Sequence, residues 1–276
     1  MSTKIHWLDG GFLFEMNKLY GDLGQQISID NQDIVYNLYQ SYIQLGCSYI
    51  TTNNYGFKPS RCKNWKELCQ KSAAVFIRLK QTYPKIVILG SLPPFFPSYT
   101  YEPVNKEFKQ YYRELISILN SYVDEYIIET SVSIEHNNCI CQIINDLTIE
   151  KPINISFYPD KINSDDICTM ITKHKMIHKL LVNCCSFDDM YTFYNDTIQS
   201  VLNKYKNIQF GFYLNKIHEK QYTTEQIVED LQSYKHDKCD NNRIKEFINI
   251  FLDITIGGCC GYGVEEMKEL MNELKI

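Results

Sequence analysis

The sequence predicts a (β/α)8 TIM barrel, a single α/β domain spanning residues 1–276. Three observations predict it. Eight short apolar, β-branched runs recur along the whole length, and runs of this kind between turn signals suit strands buried on both faces. Helical periodicity lies between most of them, the alternation expected of a parallel sheet wrapped in helices. The chemically capable polar residues fall at or just after the C-terminal ends of the runs, where barrels build their active sites. The runner-up is an open doubly wound sheet, but no GxGxxG or GxxxxGK[ST] stretch supports a nucleotide-binding version of it.

In chain order, the first strand is Ile5-Leu8. Ile34, Leu38, Tyr42 and Leu45 then share one helical face, with Asp30 as the cap ahead of them. A strand at Tyr49-Thr52 precedes the helical spacing of Leu68, Ala73, Phe76 and Leu79, and Ile86-Leu89 is the third strand. Gly90 to Lys106, rich in proline and aromatics, reads as one long loop. Phe108, Tyr111, Leu115, Leu119 and Tyr122 repeat the helical period before a strand at Tyr126-Glu129. Ser133 caps the next helical stretch, which holds Cys139-x-Cys141 as buried helix cysteines. Strands at Ile153-Phe157 and Leu180-Asn183 flank a helix capped by Ser164. Phe193, Ile198, Val201 and Tyr205 form the next helical face, ahead of a strand at Ile208-Phe212. A second long loop runs from Leu214 to Asn242. Asp253-Ile256 is the eighth strand, and Met267, Leu270, Met271 and Leu274 close the chain as a helix.

Composition limits the partners. Net charge is -5 and the 28 Lys and Arg are scattered, which leaves no electrostatic footprint for nucleic acid. No apolar run is long enough to span a bilayer, and Met1 to Trp7 lacks a signal pattern. Eleven cysteines without a mark of secretion point to a reducing, cytoplasmic compartment, where clustered thiols bind metal or catalyse more often than they pair. Oligomeric state is not legible.

Asp9, Asn53, Glu129, Cys184, Asn215 and Cys259-Cys260 all land on the expected rim. Two thiols from the glycine-rich Gly257-Gly258-Cys259-Cys260-Gly261 and one from Asn183-Cys184-Cys185 can form a three-thiolate zinc site. Structural zinc sites fill all four positions with protein, whereas catalytic ones leave one for water or substrate. Which cysteines converge therefore separates a clip from a catalyst.

Seven stretches, in order along almost the whole chain, carry a resemblance. They are Leu8-Asp9-Gly10-Gly11 with Glu15, Thr52-Asn53-Asn54-Tyr55, Gly90-Ser91-Leu92-Pro93-Pro94, Glu129-Thr130, Asn183-Cys184, Tyr213-x-Asn215 and Gly257-Gly258-Cys259-Cys260-Gly261. Together they resemble the homocysteine S-methyltransferase family of zinc-dependent barrels. The resemblance implies Zn2+ as cofactor, with Cys184, Cys259 and Cys260 as its ligands. It implies Asp9 and Glu129 on the amino group of homocysteine, and the Gly10-Gly11 backbone at its carboxylate. Asn53 and Asn215 are expected to hydrogen-bond substrate or orient loops near the metal, and Cys185 is expected to be a bystander. The implied reaction moves a methyl group from S-methylmethionine or S-adenosylmethionine to homocysteine, giving methionine.

Departures from the family pattern, Lys216 after Asn215 and Tyr262-Gly263 after the cysteines, fall on the methyl-donor side. Betaine is the alternative donor, since Gly261-Tyr262 resembles the run after the paired cysteines in the betaine-using members. Phe12, Tyr55, Phe57, Phe95, Phe96 and Tyr99 are aromatic candidates for cation–π contact with an onium donor. Two other classes compete: a non-catalytic barrel that binds zinc and a thiol metabolite, and a thiol redox protein. Adjacent cysteines lack the CxxC spacing the last would need.

Overall fold

The computed structural model describes residues 3–21, 24–159, 162–216 and 241–274. Its strands are β1 (Lys4–Trp7), β2 (Tyr49–Thr51), β3 (Val87–Leu92), β4 (Glu125–Ser131), β5 (Ile153–Phe157), β6 (Ile177–Asn183), β7 (Gln209–Leu214) and β8 (Asp253–Gly258). All pair in parallel, in the order β1-β8-β7-β6-β5-β4-β3-β2. A short seam brings the ends of this sheet together. Leu8 bridges Tyr49, the Ser48 N–H donates to the Trp7 carbonyl at 2.9 Å, and the Asp9 N–H donates to the Tyr49 carbonyl at 3.1 Å.

Helices α1 (Phe12–Tyr20), α2 (Gly24–Asp30) and α3 (Gln32–Leu45) follow β1, and α4 (Trp65–Thr82), α5 (Lys106–Leu119), α6 (Ile134–Asp146) and α7 (Ser164–Lys173) follow β2 to β5. After β6, α8 (Phe187–Phe193) runs through a π-turn at Tyr194–Ile198 into α9 (Gln199–Lys204). Helix α10 (Asn241–Ile248) precedes β8 and α11 (Val264–Glu273) follows it.

Strand alternation divides the core in two. Leu8, Leu89, Ile127, Leu181 and Tyr213 fill the barrel interior, while the larger apolar layer, including Ile88, Ile128, Leu180 and Phe212, lies between strands and helices. Residues of the interior parity that sit higher on the strands, Ser91, Glu129, Asn183 and Tyr213, are therefore delivered to the top of the barrel.

Some expectations are corrected. The cap of α3 is Asn31, whose side chain accepts from the Ile34 N–H at 3.2 Å, because Asp30 already ends α2. The cap of α7 is Asn163, accepting from the Asp166 N–H at 2.9 Å, one residue before the expected Ser164. Ser133 does cap α6. Strands β3, β4 and β8 run past their expected ends, since the polar and glycine residues there continue the ladder as well as apolar ones do, and β7 runs on through Tyr213 and Leu214. Helix α2 was not expected. The five-residue step from Phe193 to Ile198 is too long for one face of an α-helix, and the π-turn restores it. Both residues are buried. Most of the Leu214–Asn242 loop lies outside the described residues. Among the described residues, no helix is long and apolar enough to cross a membrane.

The cap assignment is directly testable. Asn163→Ala removes the bond to the Asp166 N–H and a second one to the Asp166 carboxylate at 2.7 Å. It is expected to cost about 1 kcal/mol in urea unfolding, and Ser164→Ala much less. The reverse order would return the cap to Ser164.

Candidate active site

Cys184 follows β6 directly and Cys259 follows β8 directly. The chain leaves β6 through a left-handed turn, with Cys184 at φ 56°. Such a conformation costs a non-glycine residue about 1–2 kcal/mol, and backbone bonds hold it. The Cys184 N–H donates to the Tyr213 carbonyl at 3.1 Å, and the Asn215 N–H donates to the Cys185 carbonyl at 3.0 Å. On the other side, the Cys259 N–H donates to the Leu214 carbonyl at 2.8 Å and the Lys216 N–H to the Cys260 carbonyl at 3.0 Å. The end of β7 is thus stitched to both cysteine loops. The sulfurs of Cys184, Cys259 and Cys260 all lie within 4.8 Å of one another, with Cys184 and Cys260 4.0 Å apart. They form the one metal-competent group of His, Cys, Asp or Glu among the described residues.

The turn that presents Cys184 separates it from its neighbour. Cys185 packs into the outer apolar layer, and burial pushes its thiol pKa up. Among the three clustered thiols, hydrogen bonds from Cys259 and Cys260 hold Cys184 well below the ordinary thiol range, and the same contacts hold the other two above it. The Asn215 amide lies 3.8 Å from the Cys184 sulfur and the Tyr99 hydroxyl 2.9 Å from it.

The glycines around the cysteines answer to close packing. A Cβ on Gly11 would sit 2.5 Å from the Cys259 carbonyl oxygen, and one on Gly258 would sit 2.2 Å from Cβ of Tyr262. The loop after β1 and the loop after β8 therefore nest against each other, and the Gly11 N–H donates to the Tyr262 carbonyl at 2.8 Å. Gly10 has no hydrogen bond to the described residues through its N–H. Glu15 has a structural task here: it accepts from the Val264 N–H at 3.3 Å at the start of α11, beside Glu266, which accepts from the Gly263 N–H at 3.0 Å.

Two carboxylates share the rim. Asp9 is buried and accepts from the Thr51 N–H at 2.9 Å and the Thr51 hydroxyl at 3.1 Å. Burial still leaves its pKa well above the usual carboxylate range, and the neighbouring Glu129 charge adds to this. Glu129 accepts from the Ser91 hydroxyl and from the Tyr213 hydroxyl, the latter at 3.4 Å. Burial pushes its pKa up to about 7. Neither carboxylate has an ion-pair partner among the described residues. Thr130, next in the chain, is left-handed at φ 51°. Asn183 clamps it, accepting from its N–H at 3.2 Å and donating to its hydroxyl at 3.1 Å. Asn53 is buried, and its side-chain oxygen has no hydrogen-bond partner among the described residues.

Asp9, Asn53, Glu129, Cys184, Asn215, Cys259 and Cys260 thus all lie at this end of the barrel. Ser91, Thr51, Asn183 and Tyr213 carry the carboxylates and turns and were given no role from sequence. The signal for three of them was strand parity, which places residues 91, 183 and 213 on the same inward face as Glu129.

The family model described as homocysteine S-methyltransferase matches residues 7–274. The chain belongs to that family. Among solved structures, the family fold is seen again in the homocysteine methyltransferase MmuM from Escherichia coli. Its metallated form superposes with a TM-score of 0.71 at 15% identity, covering 98% of this chain and 96% of that one. Its oxidized form gives 0.73 at 15% identity, covering 97% and 95%. A type I 3-dehydroquinate dehydratase from Clostridium difficile is more distant, with a TM-score of 0.52 at 11% identity, covering 99% and 92%. No match is found among curated protein sequences.

The half-buried Glu129 gives a pH test with a definite sign. Its folded pKa, about 7, exceeds the ordinary 4.5. Its protonated form therefore favours the fold fully below pH 4.5, and that contribution is lost as pH rises through 7. Glu129→Gln, which mimics the neutral acid, is expected to unfold in urea with up to about 3 kcal/mol more stability than wild type at pH 8. The difference should close toward pH 4. A variant less stable at pH 8 would mean that the ionised carboxylate is favourably solvated where it stands.

Proposed function

We propose that this chain transfers a methyl group from a sulfonium donor, S-methylmethionine or S-adenosylmethionine, to the thiolate of homocysteine, giving methionine, with zinc held by Cys184, Cys259 and Cys260. The observation that carries the reading is the three-sulfur cluster on the open rim of a family-matched barrel. The donor set fits the ion. Zinc–thiolate bonds of about 2.3 Å imply sulfurs about 3.8 Å apart in a tetrahedron, close to the 4.0 Å between Cys184 and Cys260. An all-sulfur set is the soft environment that zinc shares with few other biological ions.

When bound, zinc would deprotonate an incoming thiol at neutral pH, while three thiolates keep electron density on its sulfur. The chain's own residues do the rest. Buried Asp9 and half-buried Glu129 are two carboxylates without a cation among the described residues, and an α-ammonium group would supply the charge their surroundings lack. The oxygen of Asn53 has an open acceptor position beside β2. The Gly10 N–H is available to a carboxylate, whereas the Gly11 N–H is already committed to Tyr262. In this reading Gly10 and the dipole of the loop seat the carboxyl group, and Gly11 serves the packing of the two loops.

Methyl transfer needs sulfur, carbon and leaving group in line, and correct positioning can supply roughly 7–11 kcal/mol of a barrier. The donor's charge is neutralised as its carbon–sulfur bond breaks, so a dry, aromatic surround favours the step. Of the six aromatic residues considered from sequence, Phe57, Phe95 and Phe96 are committed to the outer core, and Phe12 stacks on Tyr39 at 5.3 Å. Tyr55 and Tyr99 remain near the sulfurs and Glu129. The second reading is a barrel that binds the thiol without turnover.

The zinc-loaded protein is expected to form methionine from homocysteine faster with S-methylmethionine or S-adenosylmethionine than with betaine. Turnover with none of the three, alongside measurable homocysteine binding, would favour the second reading. Cys259→Ala is expected to abolish transfer and sharply lower zinc content by elemental analysis. Cys185→Ala, buried on the other side of the strand, should keep its zinc. Equal metal loss in both variants would overturn the ligand assignment.

A further inference from the structure

Tyr99 stands on the loop between β3 and α5, and its hydroxyl rests 2.9 Å from the Cys184 sulfur. The Cys259 and Cys260 sulfurs lie within 4.8 Å of that Cys184 sulfur, so the hydroxyl sits beside the cluster. The residue is 44% exposed, and its ring packs on Tyr158, centroids 4.6 Å apart.

The placement is held under strain. Tyr99 has φ 67°, a left-handed value that is unfavourable for a residue with a Cβ. Its loop is pinned ahead of it. Lys58, only 4% exposed, donates through Nζ to the Pro94 carbonyl at 3.0 Å and the Phe96 carbonyl at 3.2 Å. The Tyr112 hydroxyl donates to the Pro93 carbonyl at 2.6 Å, and the Tyr55 and Ser98 hydroxyls are 3.0 Å apart. Lys58 makes no ion pair among the described residues. A buried ammonium spent on two carbonyls costs more than a neutral donor would, and burial lowers its pKa to about 8. What that ammonium secures is the geometry of one short loop, four residues of which separate Pro94 from Tyr99.

We propose that Tyr99 sets this site's affinity for its thiol acceptor by occupying the approach to the three sulfurs, and that Lys58 is its positioning residue, acting through the carbonyls of Pro94 and Phe96. The inference rests on the thiol-acceptor reading above and adds to it. An incoming thiol must displace the Tyr99 hydroxyl from the cluster. The anchored loop makes that hydroxyl a standing competitor, and loosening the anchor weakens the competition.

The test is calorimetric titration of the zinc-loaded protein with homocysteine and with 2-mercaptoethanol, in wild type, Tyr99→Phe, Lys58→Met, Lys58→Arg and the Tyr99→Phe/Lys58→Met double variant. Zinc content and thermal unfolding are measured for each. Tyr99→Phe keeps the ring and removes the hydroxyl, and it is expected to bind both thiols three- to tenfold more tightly. Lys58→Met should tighten binding similarly in the wild-type background and by less than twofold in the Tyr99→Phe background. Lys58→Arg should restore wild-type affinity in part. Should Lys58→Met fail to fold, Tyr99→Phe and Lys58→Arg still decide. Unchanged or weaker thiol binding in Tyr99→Phe overturns the proposal and leaves the homocysteine reading standing. Additive effects of the two substitutions overturn the role of Lys58. Tighter binding of both thiols with no preference for homocysteine in any variant would keep the proposal and sink the choice of acceptor. No thiol binding in any variant sinks both.

Discussion

Holding three cysteine sulfurs within 4.8 Å of one another is the constraint from which the rest of this barrel's upper end follows. Thiols at that spacing cannot all ionise in a buried site unless a cation joins them, so the backbone must impose the arrangement. It does so through the β6-β7-β8 ladder. Asn183 pairs with Tyr213, and Tyr213 and Leu214 pair with Gly257 and Gly258. Each cysteine loop leaves its strand exactly one residue later and bonds back to the end of β7. A parallel barrel is suited to this, because neighbouring strands end at the same rim and twist brings their first loop residues together. The left-handed turn at Cys184 aims one thiol inward while Cys185 enters the outer core.

The same rim carries two carboxylates that, in the proposed reading, a ligand's ammonium group neutralises. Asp9 is buried and Glu129 half-buried, and both are hydrogen-bonded by neutral donors and held at raised pKa. Ser91, Thr51, Tyr213 and Asn183 keep their geometry fixed without neutralising them. Preorganised groups of this kind lose stability in the free protein and recover it when a cationic substrate group arrives. The sulfur cluster and the carboxylates thus ask for two ends of one molecule, a thiol and an ammonium, and the amino-acid thiol of the proposed reaction has both.

Much of the fold was legible because the barrel's signals are local. Eight β-branched runs and the helical periods between them survive any reasonable choice of boundary. Boundaries themselves were less legible: β4 runs on through Glu129 to Ser131, and β8 through Gly257-Gly258, since burial inside a barrel lets polar and glycine residues stay in the ladder. The caps shifted by one residue because asparagine and the neighbouring aspartate or serine are near-equal cap formers, and only the chain's path chooses between them. The cysteines stood out through chemistry and spacing, whereas Asp9 and Glu129 stood out by their place at strand ends and took their roles from the family resemblance. Ser91, Asn183 and Lys58 did not, because their work is to bond groups far away in the chain, and no local pattern announces a partner 38 residues distant, as Ser91 has in Glu129.

X-ray absorption at the zinc edge, on metal-loaded protein before and after saturation with homocysteine, tests the central claim most directly. Three sulfur neighbours at about 2.3 Å, rising to four with homocysteine, is the result this account predicts. A sulfur count that does not change on adding homocysteine, in protein that is shown to bind it, would contradict it.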